Sequence, residues 1–147
     1  MKELSCGFCP YIIKNDGIYI FLNKTSRCSL WNFFKGKIES GESFEECAER
    51  EFLEETGFDL SSYHKEKVFF QKNKRKNILI YLVEIDIEIE AKRSQEIYSS
   101  AWIRLDPKII VSKNQSKIFS DIFIYFKPTL FKMKNSFFPV NFKKELV

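Results

Sequence analysis

Glu51, Glu54 and Glu55 are spaced three and four positions apart, which puts carboxylates on adjacent turns of one helix. On a helical wheel, Phe44, Cys47, Ala48 and Phe52 define an apolar arc that should face a core. Glu51 and Glu55 fall inside that arc and Glu54 on its edge, whereas Glu45, Glu46 and Glu49 lie on another face. Carboxylates on a partly buried face repel one another, and the repulsion grows as water leaves. Arg50 is one candidate to offset it. A divalent cation is the other, since hard carboxylate oxygens suit Mg²⁺ or Mn²⁺. The plain alternative is that these Glu side chains extend to solvent along their stems.

The helix that must carry them is well marked. Ser43 is an N-cap, Glu46 completes a capping box, and Gly57 stands where a helix stops, which predicts a helix over 44–56. Residues 4–13 and 18–24 are β-rich runs joined by Asn15-Asp16-Gly17, a hairpin signal. A short strand is expected over Trp31–Phe34, followed by a loop over 35–41. Val68–Gln71 and Ile78–Ile89 read as strands around the basic turn Lys72–Lys76, and Ala101–Leu105 as another. A second helix, about 114–126, carries Ile118, Phe119, Ile122 and Phe126 at helical spacing and is expected to end at Pro128. This order suggests an α/β fold, a mixed central sheet flanked by helices.

The chain has 147 residues, 44% of them hydrophobic, which predicts one domain with a core that needs no metal or disulfide staples. Sixteen Phe and six Tyr against five Gly and four Pro argue against disorder. The net charge of +4 averages very uneven segments. Residues 39–59 hold nine acids and one base; residues 127–147 hold five lysines and one acid. The latter, with Phe131, Phe137, Phe138 and Phe142, reads as a basic, Phe-rich C-terminal extension of a single domain spanning 1–147. No apolar run approaches the roughly 20 residues of a spanning helix, and no secretory signal opens the chain, so no membrane partner and a cytoplasmic location are expected. Cys6 and Cys9 imitate a redox pair, but on a strand they point to opposite faces; small buried hydrophobes are the reading for the cysteines.

Gly36, five residues, Glu42, seven residues, Arg50-Glu51-Phe52, one residue, Glu54-Glu55, one residue, Gly57-Phe58 matches the Nudix box at every specified position. The sequence therefore resembles the Nudix hydrolase family over about residues 4–126. The resemblance implies an α/β/α sandwich that hydrolyses a nucleoside diphosphate linked to another moiety, with Mg²⁺ or Mn²⁺ as cofactor. It places Glu51, Glu54 and Glu55 at metal-ligating positions and Gly36 where a carbonyl can ligate. Glu42 falls at a supporting acidic position, and Arg50 where the family orients its catalytic Glu. Two general bases stay open, Glu51 and Glu96, the latter because several members place a catalytic or metal-binding Glu in that loop.

Trp31-Asn32-Phe33-Phe34-Lys35-Gly36-Lys37 is similar to a stretch shared by dinucleoside tetraphosphate hydrolases and mRNA-decapping members, with Phe34 where both usually carry Pro. Lys35 and Lys37 are candidates for contacts to phosphates, Trp31 for substrate binding, and Tyr81 for stacking on a base. Each also has an ordinary role as a solvated lysine or a packed aromatic. A nucleotide or dinucleoside polyphosphate is the favoured substrate. RNA 5′ ends are the alternative, drawn from Lys72, Lys74, Arg75, Lys76 and the tail, where positive charge mixes with aromatics. A non-catalytic nucleotide sensor is a third reading, set against an intact box. His64 reads as a surface residue.

Overall fold

The computed structural model describes residues 2–137. Six strands and two helices run in the order β1 (Glu3–Lys14), β2 (Gly17–Lys24), β3 (Phe34–Lys37), α1 (Phe44–Thr56), β4 (Lys67–Gln71), β5 (Lys76–Glu84), β6 (Ser99–Arg104) and α2 (Ser116–Phe137). The strands form one sheet in the order β4-β5-β1-β2-β6, with β3 paired to β1. The β1–β5 pair is parallel and the others antiparallel, so the sheet is mixed as expected.

A core lies on each face, because alternate strand residues point to opposite sides. Ile18, Ile20, Leu22, Ile78, Ile80 and Leu82 pack with Ile118, Ile122 and Phe126 of α2. Phe8, Phe21, Phe34 and Val83 pack with Cys47, Ala48 and Phe52 of α1. Cys9 belongs to the first cluster and Cys6 to the second, so they stand on opposite faces and both are free thiols. The result is a helix–sheet–helix sandwich.

Four expectations need correction. The short strand is Phe34–Lys37, which overlaps the expected strand only at Phe34 and otherwise falls in the expected loop, because these residues pair with Phe8 to Ser5 of β1; Trp31 and Asn32 make only isolated bridges. The strand β5 ends at Glu84 rather than Ile89: its pairing with β1 stops at Tyr11, although β1 itself runs on to Lys14 beside β2. Phe44, placed in the apolar arc, is 48% exposed at the first turn of α1. And α2 passes through Pro128 to Phe137. The apolar stripe continues beyond the proline with Leu130 and Met133 packed against the core, which holds the helix together. The carbonyl that Pro128 leaves without a donor belongs to Ile124, a residue 63% exposed, so water can satisfy it. Of the proposed tail, 127–137 is thus helical, and Phe138 and Phe142 lie outside the described residues. Among the described residues no helix is long and apolar enough to cross a membrane.

The caps of α1 form as the sequence indicates. Ser43 accepts from Glu46 N at 3.1 Å, and Glu46 Oε1 accepts from Ser43 N at 2.9 Å. Gly57 adopts φ 75° and donates its N–H to Leu53 O at 2.8 Å. A Cβ is disfavoured there by its left-handed backbone alone, since no neighbour lies within 4 Å of the position a Cβ would take. Gly57→Ala is therefore expected to cost about 1 kcal/mol in thermal unfolding while leaving the fold intact.

Candidate active site

After Ile20, β2 leaves β1, and β3 fills the gap beside residues 5–8 of β1. Farther along, Asn23 of β2 bridges Asn32 just before β3. Across this junction lies α1. The three elements, with the loop before β6, enclose a cleft of about 370 Å³ lined by Asn23, Thr25, Asn32, Phe33, Lys35, Gly36, Lys37, Glu51, Glu55 and Glu96.

Arg50 organises the acidic helix. Its Nε and Nη2 donate to the two carboxylate oxygens of Glu42 at 2.6 and 3.0 Å. Its Nη2 also donates to Lys37 O at 3.0 Å, and Nη1 to Glu51 Oε1 at 2.9 Å. One guanidinium thus joins the end of β3 to two carboxylates of the box. The Arg50 hydrogen bond holds the Glu42 carboxyl down at about 2, well below the carboxylate range. Arg50→Lys keeps the charge but loses the fork. It is expected to destabilise the protein by about 2 kcal/mol in urea unfolding, the scale of hydrogen bonds to charged groups. Turnover should fall with it, because Glu51 loses its orientation.

Glu55 is held differently. Its Oε1 is buried without a hydrogen-bond partner among the described residues. Burial, then Glu51, then Glu96 push its carboxyl up to about 8, with Lys35 opposing. Glu51 is raised too, chiefly by burial, against the pull of Arg50. Lys35, half-buried and without an ion pair or hydrogen bond among the described residues, is lowered to about 8 by burial and then by Lys76. An orphaned carboxylate oxygen and an unpaired amine in one cleft form a site with unmet electrostatic demand of both signs.

The donor set fits a divalent cation. Glu51 and Glu55 share the cleft with Gly36, which pairs with Cys6 in the β1–β3 ladder and whose carbonyl also accepts the Cys47 S–H at 3.4 Å. Among the described residues no group of three His, Cys, Asp or Glu side chains is placed to hold an ion. Mg²⁺ does not require one, since it keeps several waters and takes its remaining ligands from one or two carboxylates and from phosphates.

The expected residues divide clearly. Gly36, Glu51, Glu55, Glu96, Lys35 and Lys37 line the one cleft. Glu54, 60% exposed, faces an adjoining cleft with Glu55, Gly57 and Glu96 and lies 3.4 Å from Arg50. Trp31 and Tyr81 line neither. Trp31 lies under the Lys24 amine, 4.6 Å from its ring, and Tyr81 packs on Phe8 at 5.9 Å. Exposed His64 is on the surface.

Asn23, Thr25, Asn32 and Phe33 were not among the expected residues. Only Asn23 leaves a trace in the sequence. It is a polar residue, 3% exposed, in the strand row that also presents Phe21 to the α1 face.

The NUDIX domain family model matches residues 10–118. The chain belongs to the Nudix family. It is 33% identical over 108 residues to mRNA decapping complex subunit 2 of Schizosaccharomyces pombe, covering 71% of this chain and 15% of that protein. It is 30% identical over 95 residues to the asymmetrical bis(5′-nucleosyl)-tetraphosphatase of Rattus norvegicus, covering 60% of this chain and 65% of that one. The Nudix match thus spans less than two thirds of either relative. Among solved structures, the Ap4A hydrolase binary complex of C. elegans superposes with TM-score 0.66 at 18% identity, over 86% of this chain and 98% of that one. The NUDIX domain of Shewanella oneidensis NrtR complexed with ADP ribose gives 0.67 at 12%, over 86% and 89%. At these identities the superpositions establish the Nudix fold.

Proposed function

We propose that this chain is a divalent-metal-dependent hydrolase that cleaves a phosphoanhydride bond in a nucleoside diphosphate linked to another moiety. The favoured substrate is a nucleotide or dinucleoside polyphosphate. The observation that carries this is that buried Glu55 Oε1 and the Lys35 amine line one cleft, neither with a hydrogen-bond partner among the described residues. Glu51, Glu55 and the Gly36 carbonyl would hold Mg²⁺ or Mn²⁺ in the cleft, and Glu54 would join them from the adjoining one. Bound there, the cation supplies neutralisation of the pyrophosphate charge and acidification of water. Lys35 and Lys37 hold phosphate oxygens beyond those the cation neutralises. Arg50 fixes Glu51, and Glu51 or Glu96 takes the proton from the attacking water. Glu96 lines both clefts and shares with Glu51 the one that holds Gly36, so either carboxylate is a candidate for that proton.

Cleavage at RNA 5′ ends is the second reading. It is favoured by one contact, Asn73 Nδ2 donating to Asn114 O at 2.9 Å, which sets the basic turn Lys72–Lys76 beside Lys113. The resemblance to a decapping subunit supports it as well. The intact carboxylates of the box weigh against a sensor without turnover. The test is a panel of diadenosine tetraphosphate, nucleoside triphosphates, ADP-ribose, triphosphorylated RNA and capped RNA with Mg²⁺ or Mn²⁺. Turnover of a small nucleotide above the RNAs is expected. No turnover of any member would refute the hydrolase reading.

A further inference from the structure

We propose that Gln115 is a positioning residue for this site: it fixes the wall of the cleft from which Lys35 projects. The inference rests on the hydrolase reading for its kinetic part only. Gln115 ends the 3-10 turn Lys113–Gln115 just before α2 and is 1% exposed, so its amide must be satisfied inside the protein. Its Oε1 accepts the Phe33 N–H at 2.7 Å, and its Nε2 donates to Asn32 Oδ1 at 2.9 Å. Asn32 in turn holds Asn23: Asn32 N donates to Asn23 O at 2.7 Å, and Asn23 N donates back at 2.9 Å. The Asn23 side chain also donates to Asn32 O, at 3.3 Å. One buried amide therefore sets three of the cleft-lining residues, and Lys35 follows two positions later.

This matters for Lys35 because its amine has no hydrogen-bond or ion-pair partner among the described residues. Where that amine sits depends on the backbone beneath it, which β1 holds from Phe34 onward and which Gln115 holds at Asn32 and Phe33, before the ladder begins. Gln71 provides the contrast. It is also buried, at 8% exposure, and it also anchors the start of α2, accepting from Lys117 N at 2.8 Å and Ile118 N at 3.3 Å. Its side-chain hydrogen bonds reach nothing on the cleft wall.

Gln115→Met and Gln71→Met keep side-chain length and remove the hydrogen bonds. Both are expected to lower Tm. Only Gln115→Met should raise KM, about tenfold, as its two hydrogen bonds to the cleft wall are lost, with kcat changed less than about threefold because α1 is untouched. In a Lys35→Gln background the KM effect of Gln115→Met should shrink to less than about threefold, since both changes act on one cation. Equal KM effects from the two Met variants, or additivity with Lys35→Gln, would reduce Gln115 to a structural residue and overturn the proposal. A substrate-free readout separates the two levels: amide exchange at Phe33 should rise in Gln115→Met and not in Gln71→Met. Unchanged exchange overturns the proposal whatever the activity. Raised exchange in a protein that turns over no member of the panel upholds the wall-fixing role and refutes the hydrolase reading instead.

Discussion

Glu55→Gln is expected to abolish turnover and yet stabilise the metal-free protein at pH 8. The stability half follows from the sign of the shift. The Glu55 carboxyl is raised to about 8 in the folded protein, chiefly by burial, whereas an unfolded Glu titrates near pH 4.3. Between those values the folded state binds the proton that the unfolded state has released. Its contribution is therefore complete below about pH 4 and lost progressively as pH rises to 8. Allowing for partial exposure and for coupling to Glu51, the loss is on the order of 3 kcal/mol. Gln carries no charge and removes it.

Glu42 works in the opposite direction and in another window. Its carboxyl is depressed to about 2 by Arg50, so its contribution is present above about pH 4.3 and disappears as pH falls toward 2. Wild-type stability without metal should thus peak near pH 5. Urea midpoints measured from pH 3 to 9 check this: the wild type should decline above the peak, while Glu55→Gln stays nearly flat. Parallel curves would mean that the buried oxygen of Glu55 is not the source. Mg²⁺ should restore the wild type at pH 8 and do little for the variant. The catalytic half is a fall of at least about a hundredfold, roughly 2.7 kcal/mol of barrier.

How much of this was legible in the sequence depends on the range of the contacts. The α1 carboxylates, Ser43, Glu46 and Gly57 act on neighbours within a few residues, so their spacing alone displays the helix and its caps. Arg50 to Glu42 spans eight positions and still falls inside one local pattern. Gln115 to Phe33 spans 82 positions, and nothing about an isolated Gln in Lys-Asn-Gln-Ser announces a partner. The strand over Phe34–Lys37 was missed for a related reason: Lys35-Gly36-Lys37 has turn-like composition, and only the edge of β1 makes it a strand. Pro128 marks a helix end by local chemistry, but the tertiary packing of Leu130 and Met133 prevails. The basic residues stay undivided between substrate and solvent until the cleft separates Lys35, which lines it, from the turn Lys72–Lys76, which does not.

Gly36→Ala should nearly eliminate turnover at little cost to the fold. Gly36 does not occupy the left-handed region, so alanine is not strained by its backbone. The obstacle is one side chain. A Cβ at this position would fall inside the carboxylate of Glu51, overlapping its Cδ and both oxygens. Since that carboxylate is the far end of a flexible side chain, it can swing away, and the chief loss is its 2.9 Å hydrogen bond from Arg50. Stability should fall by about 1–2 kcal/mol, the worth of that bond. Activity should fall about a hundredfold or more, because a displacement of about 1 Å in a reacting group has that effect. The partition distinguishes this from general damage. Gly36→Ala and Glu51→Ala both take the same carboxylate from the cleft, so the double variant should be no slower than Glu51→Ala alone. Its urea midpoint should also match Glu51→Ala, since with the carboxylate gone the new methyl has room. If instead the two rate losses multiply, the glycine serves the site through its own carbonyl and not through the space it leaves for Glu51.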